Sequence, residues 1–181
     1  MEDSIIEQIL LNLYDAIDYG FSYRAKKIFG IDEYFVSSNW KKYTKEEFRK
    51  GFTNLKRLKF IQQKQQYDGS ILISLSEKGK LRALNIKFRK LAIKKEFWDR
   101  KWRMVIFDIP NSHRKGRDAI RYRLKSAGFR EVQESIFIYP YDCEELIREL
   151  IKLFKLEKYV KFALLDYIDG QENLIKLLKL G

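Results

Sequence analysis

A chain of 181 residues with 45% apolar and 34% charged side chains can fill one medium domain or two small ones, which excludes a large multidomain enzyme and argues against a disordered chain. A single Cys and a single His exclude an internal disulfide and a zinc finger, and no apolar run approaches the roughly 20 residues that span a bilayer. The expectation is a soluble, cytoplasmic protein with no membrane partner, whose formal net charge of +12 calls for a polyanion.

That charge is concentrated. Residues 1–40 carry a net −4, residues 41–95 carry +13 and residues 96–181 carry +3. In chain order, Ser4 is placed to cap a helix bearing Ile5, Ile6, Ile9, Leu10, Leu13 and Ile17 on one face, with Gly20 as its stop. A second helical pattern runs from Ser22 to Phe29, and a short turn covers Asp32 to Phe35.

Thr44 and Glu47 have capping-box spacing and open a helix in which Phe48, Phe52, Leu55 and Leu58 form a buried stripe, with an exit near Lys59. Arg49, Lys50, Thr53, Asn54 and Arg57 share the opposite face, and Lys45 precedes them. These side chains suit phosphates and base edges: Arg and Lys for phosphate or guanine, Asn for adenine, Thr for a thymine methyl. A solvated helix would carry many i,i+4 acid–base pairs, and this segment offers few acids to make them. FIQQKQQ, an Asp68-Gly69 turn and ILISL then read as a hairpin, with Lys64, Gln65 and Gln66 on its wing. Ser76 starts a helix through about Arg89. The order of elements predicts a winged helix-turn-helix over residues 1–95, with DNA contacts at Lys45, Arg49, Lys50, Thr53, Asn54, Arg57, Lys64, Gln65 and Gln66.

Further along, Trp102 to Pro110 suits a central strand, and Asn111 or Ser112 is placed to cap a helix with Ile120, Leu124 and Ala127 on one face and Gly128 at its end. Short strands follow near Arg130–Gln133 and Ser135–Tyr139. Asp142 with Glu145 forms another capping signature before LIRELIKLFKL, and Tyr159 to Ile168 reads as a strand. The order β, α, β, β, α, β predicts a ferredoxin-like unit over residues 96–181. Leu174, Leu177 and Leu178 of a terminal helix need a surface to cover, in this chain or in a partner. The fold class expected for the whole chain is α+β.

The stretch WDRKWRMVIFDIPNSHRKGRDAIRYRLKSAGF, followed by VQESIFIYPYDCEEL, resembles the central domain of the PaaX family of transcriptional repressors, which is similar to CRISPR-associated protein 2. The preceding LSEKGKLRAL resembles the winged-helix end of that family. The resemblance implies a homodimeric repressor of transcription that binds double-stranded DNA without a cofactor. Longer members carry a further C-terminal region linked to sensing an acyl-coenzyme A, and whether a small-molecule effector acts here is left open.

The resemblance also draws attention to Asp108, because the matching Asp of CRISPR-associated protein 2 is implicated in metal-dependent phosphodiester cleavage. Two readings stand: a nuclease or spacer-acquisition subunit using Mg or Mn at Asp108, or a structural aspartate accepting backbone N–H bonds at the next helix. Arg114, Lys115, Arg117, Arg121 and Arg123 on that helix are positioned to support DNA binding in either case. His113 is expected at the surface. Cys143 lies near a helix N-terminus, a position that can lower a thiol pKa. Trp98, Trp102 and Tyr139 to Tyr141 are expected to pack between the two halves.

Overall fold

The computed structural model describes residues 4–18, 23–25, 44–65, 67, 71–93 and 97–180. The chain divides into two units, Met1–Ala83 and Leu84–Gly181. In the first, Ser4 caps α1 (Ile5–Asp18) through a 3.3 Å bond from Glu7 N–H to its hydroxyl. Ile9, Leu10 and Leu13 of that helix are buried with Phe48, Phe52 and Leu55 of α2 (Lys45–Arg57). The two helices approach closely at Gly51, where an added Cβ would lie 3.1 Å from Ile9 Cδ1.

β2 (Ile61–Gln65) and β3 (Ile71–Leu75) form an antiparallel hairpin in which Ile61 faces Leu75 and Gln65 faces Ile71. Apart from Tyr67, the expected turn at 67–70 lies outside the described residues, as do Gly20 and the expected turn at 32–35. Tyr23–Ala25, expected to be helical, is instead a strand, β1, paired antiparallel with β3 to give the sheet order β1-β3-β2. A hairpin leaves one row of β3 N–H and C=O groups open, and pairing with that row outweighs a weak local helical pattern. The remainder of the expected 22–29 helix lies outside the described residues.

α3 (Glu77–Ile93) runs across the division between the units. Ser76 ties its start to the end of α2: its hydroxyl accepts from Gly79 N–H at 3.0 Å and donates to Lys59 O at 2.7 Å, while its N–H donates to Phe60 O.

In the second unit, β4 (Trp102–Phe107), a 3-10 turn (Asn111–His113), α4 (Arg114–Ser126), β5 (Arg130–Gln133), β6 (Ile136–Tyr139), α5 (Glu144–Leu153) and β7 (Val160–Leu165) follow in order. The antiparallel sheet has the order β5-β6-β4-β7, the ferredoxin-like arrangement. Alternation along the strands gives it two apolar faces. Val105, Phe107, Phe137 and Tyr139 are buried on one, with Phe107 stacked on Phe137. On the other, Trp102 and Ile138 are packed by Trp98, Tyr141 and residues of α6 (Gln171–Leu178). The terminal helix therefore covers its own sheet through Leu174 and Leu178, while Leu177 is exposed.

Gly128 ends α4 with φ 92°, Gly128 N–H donating to Lys125 O and Phe129 N–H to Leu124 O. Two expected caps did not form. Neither the 3-10 turn nor α4 has a side-chain cap, because Asn111 Oδ1 accepts from Arg117 instead. Asp142 accepts from Glu144 N–H at 3.3 Å, and Cys143 occupies the cap position of α5 without a side-chain bond.

Candidate nucleic-acid interface

The expected capping box at the start of α2 is present. Glu47 N–H donates to Thr44 Oγ1 at 3.2 Å, and Glu47 Oε2 accepts from Thr44 N–H at 2.8 Å and from its hydroxyl at 2.9 Å. Those bonds from Thr44 hold the Glu47 carboxyl below its usual range. The other end closes on Lys59, at φ 59°, with Lys59 N–H bonded to Lys56 O and Phe60 N–H to Leu55 O. A helix fixed at both ends and buried along Phe48, Phe52 and Leu55 presents its remaining face in one orientation.

Arg49, Lys50, Thr53, Asn54 and Arg57 together line a shallow, open concavity of about 480 Å³. Arg57 Nη2 donates to Asn54 Oδ1 at 2.9 Å, and the Thr53 hydroxyl donates to Arg49 O at 2.9 Å. Both contacts lie within one helix and exchange readily for a ligand's groups, since each side chain keeps further donors or acceptors. Lys45 opens the same helix, and its side chain lies outside the described part. Lys64 and Gln65 are exposed on β2, the strand that follows α2, and Gln66 lies outside the described residues.

One residue of this face was missed by sequence reasoning. Glu46 is exposed, lies three residues before Arg49, four before Lys50 and seven before Thr53, and pairs with Lys50 at 2.9 Å. The segment's acids are few, as expected, and this one nonetheless makes an i,i+4 pair that the spacing alone would have found.

The basic helix of the second unit behaves differently. Arg123 is buried, donating to Asn85 Oδ1 at 3.0 Å and Ala119 O at 2.8 Å, with its guanidinium 5.3 Å from the centre of the Phe154 ring. Arg121 pairs with Glu131, Arg117 donates to Ile109 O and Asn111, and Arg114 lies 3.6 Å from Asp118. Arg123 is thus structural rather than presented to a ligand, which corrects its expected role, while Arg117 and Arg121 are part-exposed and held by contacts within their own unit.

Asp108 is exposed at the end of β4. Its N–H donates to Tyr159 O at 3.0 Å, so the backbone fixes this turn and the carboxylate accepts none of the N–H bonds expected of it. Among the described residues no three His, Cys, Asp or Glu side chains are grouped to hold a metal ion. His113 is exposed, with Nδ1 3.0 Å from the Ser112 hydroxyl and its ring 5.1 Å from that of Tyr159. Cys143 is buried, and burial pushes its thiol up to about 12, the opposite of the lowering that a helix N-terminus suggested. Trp98 and Trp102 pack within the second unit, with rings 5.0 Å apart and Trp102 Nε1 donating to Gln171 Oε1 at 3.0 Å. No described helix is long and apolar enough to cross a membrane.

The ferredoxin-like sheet of the second unit, entered through the Trp98–Trp102 pair and closed by α6, defines its class. Residues 95–176 match the family model described as the PaaX protein central Cas2-like domain, a match that lies within the second unit and supports a PaaX-type central domain there. No curated protein and no solved structure matches the chain.

Proposed function

We propose that the protein is a sequence-specific, double-stranded DNA-binding regulator of transcription, a repressor acting as a homodimer, with residues 1–95 as a winged helix-turn-helix. The observation that carries this reading is the single exposed face of α2, where Arg49, Lys50, Thr53, Asn54 and Arg57 converge on one open concavity within the +13 segment. The hairpin after that helix and the β1-β3-β2 order suit the winged-helix reading and support α2 as the helix that enters the major groove. The PaaX central domain in the same chain favours a regulator over an enzyme.

Two copies joined through their central domains would present two recognition helices, and linking two weak modules raises affinity steeply. The test is selection of bound duplexes from a random pool, with Arg57→Ala as control and light scattering of the full chain. A two-fold symmetric site, weaker binding by the variant and a dimer are expected. Absence of any enriched sequence would refute the reading.

A further inference from the structure

Glu46 and Lys50 pair at 2.9 Å within the polar face of α2, with 64% and 71% of their side chains exposed. Exposed i,i+4 pairs contribute little to helix stability, and although Glu46 and Glu47 both lie in the first turn, where an acid suits the helix dipole, only Glu47 joins the capping box, through the N–H and hydroxyl of Thr44. Glu46 places a negative charge on the face that carries Arg49, Lys50 and Arg57, where it repels phosphates. A carboxylate on a groove-reading face is tolerated only opposite a donor, and in the major groove the base donors are cytosine N4 and adenine N6.

Lys50, beside it, needs an acceptor. In a G·C pair, guanine O6 and cytosine N4 lie next to each other, joined by a hydrogen bond of about 2.9 Å. That spacing equals the separation of Lys50 Nζ and Glu46 Oε1. An A·T pair in the same orientation reverses the order, setting adenine N6 against the ammonium and thymine O4 against the carboxylate, and a T·A pair keeps the order but sets the thymine C5-methyl beside the ammonium where guanine offers the acceptor N7. Residues near the N-terminus of a recognition helix are the ones that reach base edges, and this pair occupies the first two turns of α2.

We infer that Glu46 and Lys50 together are a specificity-determining pair that reads one G·C base pair, Lys50 donating to guanine O6 and Glu46 accepting from cytosine N4. This rests on the reading of α2 as the DNA-facing helix. The test uses the full chain and the duplex it selects. Wild type, Glu46→Ala, Glu46→Gln and Arg57→Ala are titrated on that duplex, on copies with each G·C pair changed in turn to A·T, and on an unrelated duplex.

Wild type is expected to lose about tenfold or more in affinity at one G·C pair. Glu46→Ala loses that discrimination, while Glu46→Gln keeps part of it, since its amide oxygen still accepts from cytosine N4 although its NH2 can also donate; both keep the preferences at other positions and bind the unrelated duplex more tightly. The log–log salt slope of Glu46→Ala steepens by about one as Lys50 is released to a phosphate. If the Glu46 variants keep every wild-type base preference while Arg57→Ala weakens binding, α2 remains the DNA face and the pair has no reading role. If Arg57→Ala also binds like wild type, the helix assignment falls and the inference with it.

Discussion

Arg103 grips both carboxylate oxygens of Asp99, Nη1 to Oδ1 at 2.6 Å and Nη2 to Oδ2 at 2.8 Å, from a position on β4 that is 8% exposed. The same guanidinium donates to Lys101 O and Pro140 O, while Asp99 Oδ1 also accepts from Lys101 N–H. A buried charge is tolerable only when paired and hydrogen-bonded, and these contacts meet both conditions. The arrangement folds the 98–102 segment back so that Trp98 and Trp102 pack together, with Arg100 at φ 63° making the turn.

Removing Asp99 leaves Arg103 buried without its counter-ion. Asp99→Ala should destabilise the protein by about 2 kcal/mol, below the full cost of a broken buried pair because Asp99 itself is half exposed. The Arg103 hydrogen bonds hold the Asp99 carboxyl below its usual value. A depressed folded-state pKa contributes stability that is present above the unfolded value, about pH 4, and lost as pH falls through the folded one. Urea midpoints for wild type and Asp99→Ala should therefore differ at pH 7 and converge at acid pH; a constant difference down to pH 2 contradicts this account.

Two glycines should respond differently to the same substitution. At Gly79 a Cβ would lie 2.0 Å from Phe60 O, a backbone atom held between α2 and β2 that also accepts the Ser76 N–H. Gly79→Ala should destabilise by about 3 kcal/mol, since something in the backbone must move. At Gly51 the nearest atom, 3.1 Å away, is the tip of Ile9, which can rotate aside. Gly51→Ala gains helix propensity and should change stability by less than about 1 kcal/mol. Equal denaturation midpoints for the two variants would contradict the packing seen here.

Cys143 should resist thiol reagents in the native state, because its thiol is buried and pushed up to about 12. At pH 8 its modification should proceed at the rate of local or global opening and accelerate in urea. Stoichiometric labelling within seconds in native buffer would show an exposed thiol.

The capped helix at 44–57, the hairpin and the ferredoxin-like order were legible because each is written locally: Thr44 with Glu47, Asp68-Gly69 between strand-like runs, and Gly128 after a basic helix. What escaped depends on distant partners. β1 exists because β3 has an open edge, a fact that Tyr23, Arg24 and Ala25 do not carry. The destiny of the α4 arginines was invisible for the same reason: Arg123 meets Asn85, and Arg121 meets Glu131 across the turn to β5. The exit expected near Lys59 is where the helix ends, although the left-handed position is filled by lysine instead of the usual glycine.

Salt dependence tests the α2 face as a whole. If about six phosphates are neutralised, the log–log slope should be near −5, and replacing Lys50 and Arg57 by Ala should flatten it by about one unit per residue that contacts a phosphate. Lys115 is exposed on α4, within the second unit. Lys115→Ala should leave the slope within error of wild type, and a flattening equal to that of Arg57→Ala would move the interface onto the central domain.

Asp108 separates the regulator from the nuclease most sharply. Its carboxylate is exposed and makes no hydrogen bond or ion pair with the described residues, while the turn it occupies is fixed by the backbone bond from Asp108 N–H to Tyr159 O. Asn keeps that N–H, so Asp108→Asn should change stability by no more than about 0.5 kcal/mol. DNA affinity should also stay constant, because none of the α2 side chains is altered. A nuclease makes the opposite demand: wild type must cleave DNA or RNA with Mg or Mn, and the Asn variant must fold normally yet lose the activity. Hard divalent cations bind through several oxygen ligands. The acid that follows Asp108 most closely in sequence, Asp118, already faces Arg114 at 3.6 Å. The regulator reading therefore expects no metal-dependent cleavage by wild type above the level of the Asn variant, assayed on single- and double-stranded substrates with each metal in turn. Turnover that disappears in Asp108→Asn without loss of fold would make the central domain an enzyme and reduce the unit that carries α2 to its targeting module.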